Sequence, residues 1–138
     1  MSDPRPLRIA IADGSPAFLN AAANYIAHLP GFVLAGTADT ALQALGLVSA
    51  AGPDVLLLDL GSPPVRGLEI VKRVKAEPGA PAVVAMTLFH TPEAAAAARG
   101  AGADALVGKE SFVTGLSQAL SRLFPWLPSG RSLGPTLF

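Results

Sequence analysis

The chain has 138 residues, of which 51% are hydrophobic and 14% charged, with ten basic side chains against ten acidic ones and no cysteine. That length and composition suit one packed domain and exclude a disordered, charge-rich chain. Zero formal net charge removes the positive field that direct nucleic-acid binding draws on, and the lack of cysteine excludes a disulfide framework or thiolate metal site and fits a reducing compartment.

Residues 1–6 are polar and interrupted by Pro4 and Pro6, and the apolar run 7–12 is too short for a secretory signal core, so it reads as a first strand. Ser15 is placed to cap a helix over 16–29, with Pro16 in the first turn, where its missing N–H is not needed. A second strand is expected at 32–36, a helix behind Thr40 at 40–51, a third strand at 55–60 and a helix at 68–76. Strand 82–87, helix 92–101 opened by Thr91 and Pro92, strand 105–107 and helix 111–124 complete the series. After Phe124 the composition turns to proline and glycine (Pro125, Pro128, Gly130, Gly134, Pro135), so 125–138 reads as a tail with no output domain behind a domain at 7–124. The apolar runs at 55–58 and 94–98 fall far short of the ~20 residues of a membrane-spanning helix, and the expectation is a cytoplasmic protein without membrane contact.

Strict alternation of strands and helices implies a parallel sheet, because parallel neighbours require a crossover, and strands this uniformly apolar suit a sheet covered on both faces. Ligands of such sheets bind beyond the carboxyl ends of the strands, near the point where strand order reverses. There the sequence places Asp13 and Gly14, Asp59 to Gly61, Thr87 to Phe89, and Gly108 with Lys109. An aspartate at a strand end can attack a phosphoryl donor when cations neutralise the transferring group, which gives Asp59 a job as nucleophile. Lys109 suits a charge contact and the Thr87 hydroxyl a hydrogen bond to the same group.

Blander readings stand beside these. Asp13 also suits a turn or helix-cap acceptor, Asp104 a conformational role in its turn, and His28 the end of a helix, where a cation complements the dipole. His90 reads as a solvated loop residue, whereas Trp126, Leu127 and Phe138 could dock on the domain or on a partner.

The segments Ile11-Ala-Asp-Gly-Ser-Pro16, Leu56-Leu-Leu-Asp-Leu-Gly-Ser-Pro-Pro-Val-Arg-Gly67, Val83-Val-Ala-Met-Thr87 and Ala101-Gly-Ala-Asp104 leading to Lys109 resemble, in order and spacing, the motifs of bacterial two-component response-regulator receiver domains. Leu29-Pro-Gly-Phe-Val-Leu-Ala-Gly36 is similar to receivers of LuxR-type regulators. The resemblance implies a flavodoxin-like (βα)5 three-layer sandwich with strand order 2-1-3-4-5. It implies a phosphoacceptor module rather than an enzyme, with Asp59 as acceptor, Thr87 and Lys109 as phosphate-binding switch residues, and Mg2+ held by Asp13, Asp59 and the Gly61 carbonyl. It further implies a sensor histidine kinase or phosphotransfer protein as donor, a downstream protein partner, a signalling surface around the fourth helix, fifth strand and fifth helix, and leaves a homodimer open.

The sequence departs from that pattern at named positions. Gly14 stands where a second acid would bind Mg2+, so a weakened metal site is expected. Leu106 takes the place of an aromatic switch, Leu88 that of a small residue beside the acceptor, and Glu110 that of a proline after the lysine. A phosphorylation-independent pseudo-receiver that serves as a protein-binding scaffold is the alternative these departures raise. An ordinary enzyme lacks support, because no Gly-x-Gly-x-x-Gly or P-loop is present and the Gly-x-Ser-x-Gly at 130–134 falls in the tail rather than at a strand-to-helix elbow.

Overall fold

Each apolar run forms a strand, and each amphipathic run returns the chain across the sheet as a helix. The computed structural model describes residues 5–126, in which β1 (Leu7–Ala12), β2 (Phe32–Ala38), β3 (Val55–Asp59), β4 (Ala82–Thr87) and β5 (Ala105–Gly108) alternate with α1 (Pro16–Ala27), α2 (Gln43–Ala51), α3 (Val65–Lys75), α4 (Pro92–Ala101) and α5 (Phe112–Leu123). All neighbouring strands are parallel and their order is β2-β1-β3-β4-β5, as the family resemblance implied.

The period of two along each strand divides the core. Ile9, Ile11, Val55, Leu57, Val84, Met86 and Val107 pack with Ala22 and Ile26 of α1 and Phe112, Leu116 and Leu120 of α5. Ala10, Ala12, Leu56, Leu58, Val83, Ala85 and Leu106 pack on the other side with α2, α3 and the alanines of α4. The result is the expected three-layer sandwich.

Differences from the expected boundaries have local causes. β2 runs two residues further because a register shift between Ile9 and Ala10 absorbs one extra residue, after which Thr37 and Ala38 pair with Ile11 and Ala12. Thr40 does not open α2 directly: its hydroxyl accepts from the Gln43 N–H at 3.1 Å and closes a turn that precedes the helix. α3 begins at Val65, three residues earlier than expected, and includes Gly67, where a Cβ would come within 2.5 Å of the Leu60 backbone. Only glycine lets α3 approach the end of β3 that closely. A 3-10 turn, Lys109–Ser111, separates β5 from α5.

Ser15 and Thr91 act as the expected N-caps, accepting from the N–H groups of Phe18 and Ala94. His28 closes α1, its Nδ1 lying 2.8 Å from the Asn24 carbonyl oxygen. Phe124 and Trp126 contact edge to face with centroids 5.4 Å apart. Leu127, Phe138 and the remainder of the expected tail lie outside the described residues. Among the described residues no helix is long and apolar enough to cross a membrane.

Asp104 has the structural role its turn suggested. Its Oδ2 accepts from the buried Val83 N–H at 2.8 Å and from Lys75 Nζ at 2.9 Å, while Lys75 also donates to the Pro81 carbonyl at 3.0 Å. One carboxylate therefore ties the end of α3 and the start of β4 to the turn before β5. Asp104→Ala leaves the Val83 N–H without its acceptor, and urea unfolding should show a loss of about 2 kcal/mol. A loss under about 0.5 kcal/mol would show that the tie contributes nothing beyond an exposed ion pair.

Candidate functional site

Strand register brings the strand-end residues to one rim. Ala12 lies beside Leu58, so Asp13 and Asp59 follow as neighbours across the point where strand order reverses. Thr87 lies beside Gly108, and Lys109 is the next residue on that strand's path. Asp13, Asp59, Thr87 and Lys109 thus meet at the carboxyl edge of the sheet.

Asp13 takes the turn role and also faces Lys109. Its Oδ1 accepts from the Ser15 N–H at 2.8 Å, an Asx turn that leads into α1, while its Oδ2 lies 2.7 Å from Lys109 Nζ. Among the described residues Oδ2 has no other polar partner, so the ammonium is what compensates its charge. Lys109 Nζ is also 3.2 Å from Asp59 Oδ1 and 4.6 Å from the centroid of the Phe18 ring. Two carboxylates share one ammonium, and the cluster keeps an excess negative charge.

Exposure separates the two acids. The Asp13 side chain is 0% exposed and that of Lys109 9%, whereas Asp59 is 19% exposed and opens on a cleft. This cleft, of about 620 Å³, runs between the β3–α3 and β4–α4 loops and includes Gly61, Thr87, Leu88, Phe89 and Lys109 in its lining. Asp59 Oδ1 accepts from the Gly61 N–H at 3.3 Å, and Gly61 takes φ +80°, a conformation that favours glycine. Thr87 Oγ1 makes two long contacts of 3.4 Å to the N–H and carbonyl of Phe89. A better acceptor entering the cleft would readily displace them.

The departures from the family pattern are visible as geometry. A Cβ built on Gly14 meets only the Asp39 carbonyl oxygen, at 3.8 Å, so the backbone would accept a larger residue there without strain. Leu88 lines the cleft without closing it, and Leu88 and Phe89 are 59% and 75% exposed. Leu106 is buried beneath the small side chains of α4. Among the described residues no group of three or more His, Cys, Asp or Glu is arranged to hold a metal ion. Asp13, Asp59 and Gly61 line one cleft, and two carboxylates with a backbone carbonyl are a donor set compatible with Mg2+ that keeps most of its water.

Phe18 is the site neighbour that sequence reasoning did not single out. It is an apolar residue in the first turn of α1, and nothing in its local pattern distinguishes it from a core position.

A family model described as the response regulator receiver domain matches residues 9–121. This chain belongs to that family. Among curated relatives, the receiver is 32% identical over 114 residues to protein-glutamate methylesterase/protein-glutamine glutaminase 2 of Anaeromyxobacter dehalogenans, covering 83% of this chain and 33% of that protein. It is 27% identical over 120 residues to the nitrate/nitrite response regulator protein NarL of Escherichia coli K12, covering 87% of this chain and 56% of that one. The chain therefore spans between a third and somewhat over half the length of these relatives. Among solved structures, a LuxR-family response regulator from Aurantimonas superposes with a TM-score of 0.78 at 26% identity, over 94% of this chain and 91% of that one. The signal receiver domain of a NarL regulator from Mycobacterium tuberculosis shares the fold, with a TM-score of 0.79 at 24% identity over 90% and 100% of the two chains. The LuxR-type character read from residues 29–36 agrees with these neighbours. Receiver domains in general bind Mg2+ at the phosphorylation site and interact with histidine kinases or phosphotransfer proteins.

Proposed function

We propose that this receiver accepts a phosphoryl group on Asp59 and passes the signal on through protein contacts, with a sensor histidine kinase or phosphotransfer protein as donor and a downstream protein as recipient. The observation that carries this reading is the difference between the two acids: the Asp59 side chain is 19% exposed on the cleft with Lys109 Nζ 3.2 Å away, whereas the Asp13 side chain is 0% exposed and lies 2.7 Å from the same ammonium. An oxygen of Asp59 attacks phosphorus while the bond from phosphorus to the donor breaks, and the donor leaves with the electron pair. The product is an acyl phosphate. Lys109, held beside both carboxylates, faces the charge that the phosphoryl oxygens bring, and Thr87 exchanges its long contacts to Phe89 for a hydrogen bond to one of them. Asp13 keeps the ammonium in place.

Asp13, Asp59 and the Gly61 carbonyl are the groups that would hold Mg2+, which supplies positive charge to the transferring group when bound. With Gly14 in place of an acid, this hold is weak. Because the backbone at Gly14 tolerates a side chain, Gly14→Asp should tighten Mg2+ binding about tenfold in titration calorimetry. An unchanged affinity would show that position 14 does not face the metal.

The second reading, a pseudo-receiver scaffold that works unmodified, is favoured by one observation. Lys109 sits within 3.2 Å of both carboxylates, so the chain's own cation partly neutralises the acidic pair. Intact-mass spectrometry after incubation with acetyl phosphate and Mg2+ separates the readings: a gain of one phosphoryl group supports the first, and its absence alongside a labelled conventional receiver supports the second.

A further inference from the structure

Lys109 lies among three neighbours, and one of them is not an acid. Its ammonium is 4.6 Å from the centroid of the Phe18 ring, on a side chain that is only 9% exposed. At that distance from a ring face, and shielded from water, a cation is attracted by the negative face of the aromatic quadrupole. The ring is itself fixed. It stands edge to face with Phe112 at 5.3 Å and 82°, and Phe112 contacts Tyr25 at 6.1 Å in the same manner. Phe112 opens α5 directly after the turn Lys109–Ser111, and the Phe18 N–H is bound to the Ser15 cap. One aromatic cluster thus connects the first turn of α1, the first residue of α5 and the lysine between them.

From this arrangement we infer that Phe18 is a positioning residue for Lys109, and that its ring, together with Asp13, keeps the ammonium over the acceptor carboxylate. With glycine at position 14 the pocket holds only two carboxylates to attract the lysine, and the aromatic face provides the third contact. The inference rests on the proposed phosphoacceptor role of Asp59 for its functional consequence, but the hold on the lysine stands separately.

The test measures the rate at which an amine-acylating reagent modifies Lys109 in the full chain, with exposed Lys72 as internal reference. Phe18→Leu should raise the Lys109 rate roughly fivefold relative to Lys72, and Phe18→Tyr should return it to the wild-type value. A fluorinated phenylalanine at position 18, which keeps the shape but weakens the face potential, should raise the rate while leaving the melting temperature unchanged, so the test survives if the leucine variant does not fold. Lys109 rates that stay at the wild-type value in the leucine and fluorinated variants would overturn the inference. Labelling of Asp59 by acetyl phosphate, followed in the same variants, should fall by a similar factor as Lys109 is released. A freed lysine with undiminished labelling would overturn the positioning role. A wild type that is never labelled would instead refute the phosphoacceptor reading, with the lysine rates still deciding what holds the ammonium.

Discussion

Asp59→Asn should abolish phosphoryl acceptance while leaving the fold intact. In intact-mass spectra taken after incubation with acetyl phosphate and Mg2+, the wild type should gain one phosphoryl group and the variant none. Asparagine keeps the shape of the side chain and an oxygen able to accept from the Gly61 N–H, but its neutral amide is no nucleophile. It also leaves Lys109 paired with Asp13 in a one-to-one ion pair, so unfolding free energy should change by less than about 1 kcal/mol. Labelling that persists in the variant would move the acceptor to another residue. A wild type that takes no phosphoryl group, beside a conventional receiver that does, would make the chain a scaffold that works unmodified.

The largest expected change in stability comes from the opposite member of the cluster. Lys109→Met removes the ammonium that compensates Asp13, whose side chain is 0% exposed and whose Oδ2 has no other polar partner among the described residues. A buried carboxylate without its partner is costly, and the variant should lose about 3 kcal/mol of stability at neutral pH. In a domain of this size that is a drop in melting temperature of roughly 10 °C. Asp13→Asn in the same background removes the uncompensated charge and should recover most of the loss, so the double variant melts close to the wild type. A single Lys109→Met variant that loses less than about 1 kcal/mol would show that water reaches Asp13, contrary to its burial.

Much of this molecule is legible along the chain because local chemistry and tertiary structure agree. The α4 boundaries match expectation at both ends: Thr91 caps the start, and Gly102, at φ 105°, ends the helix in a conformation that favours glycine. β1 and β4 match because they are apolar runs between polar turns. α3 shows where such reading stops. The expected helix begins after Gly67, yet this glycine lies inside α3, where the Leu60 backbone occupies the space a Cβ would need. A glycine required by close approach and one required by a turn are the same letter in a sequence. The extra length of β2 escaped for a related reason, since the register shift that carries it to Ala38 depends on pairing with β1.

By itself the sequence determined the number, type and order of the elements and, through the parallel sheet they require, the rim on which Asp13, Asp59, Thr87 and Lys109 meet. Period, caps and strand-end residues are local properties, and a parallel sheet turns chain order into position. Only the tertiary structure decided which carboxylate is accessible, that one ammonium serves both, and that an aromatic ring completes its surroundings. Exposure and ångström-scale distances between residues far apart in the chain are set by how α1 and α5 pack on one face of the sheet, and no local pattern in the sequence encodes that packing.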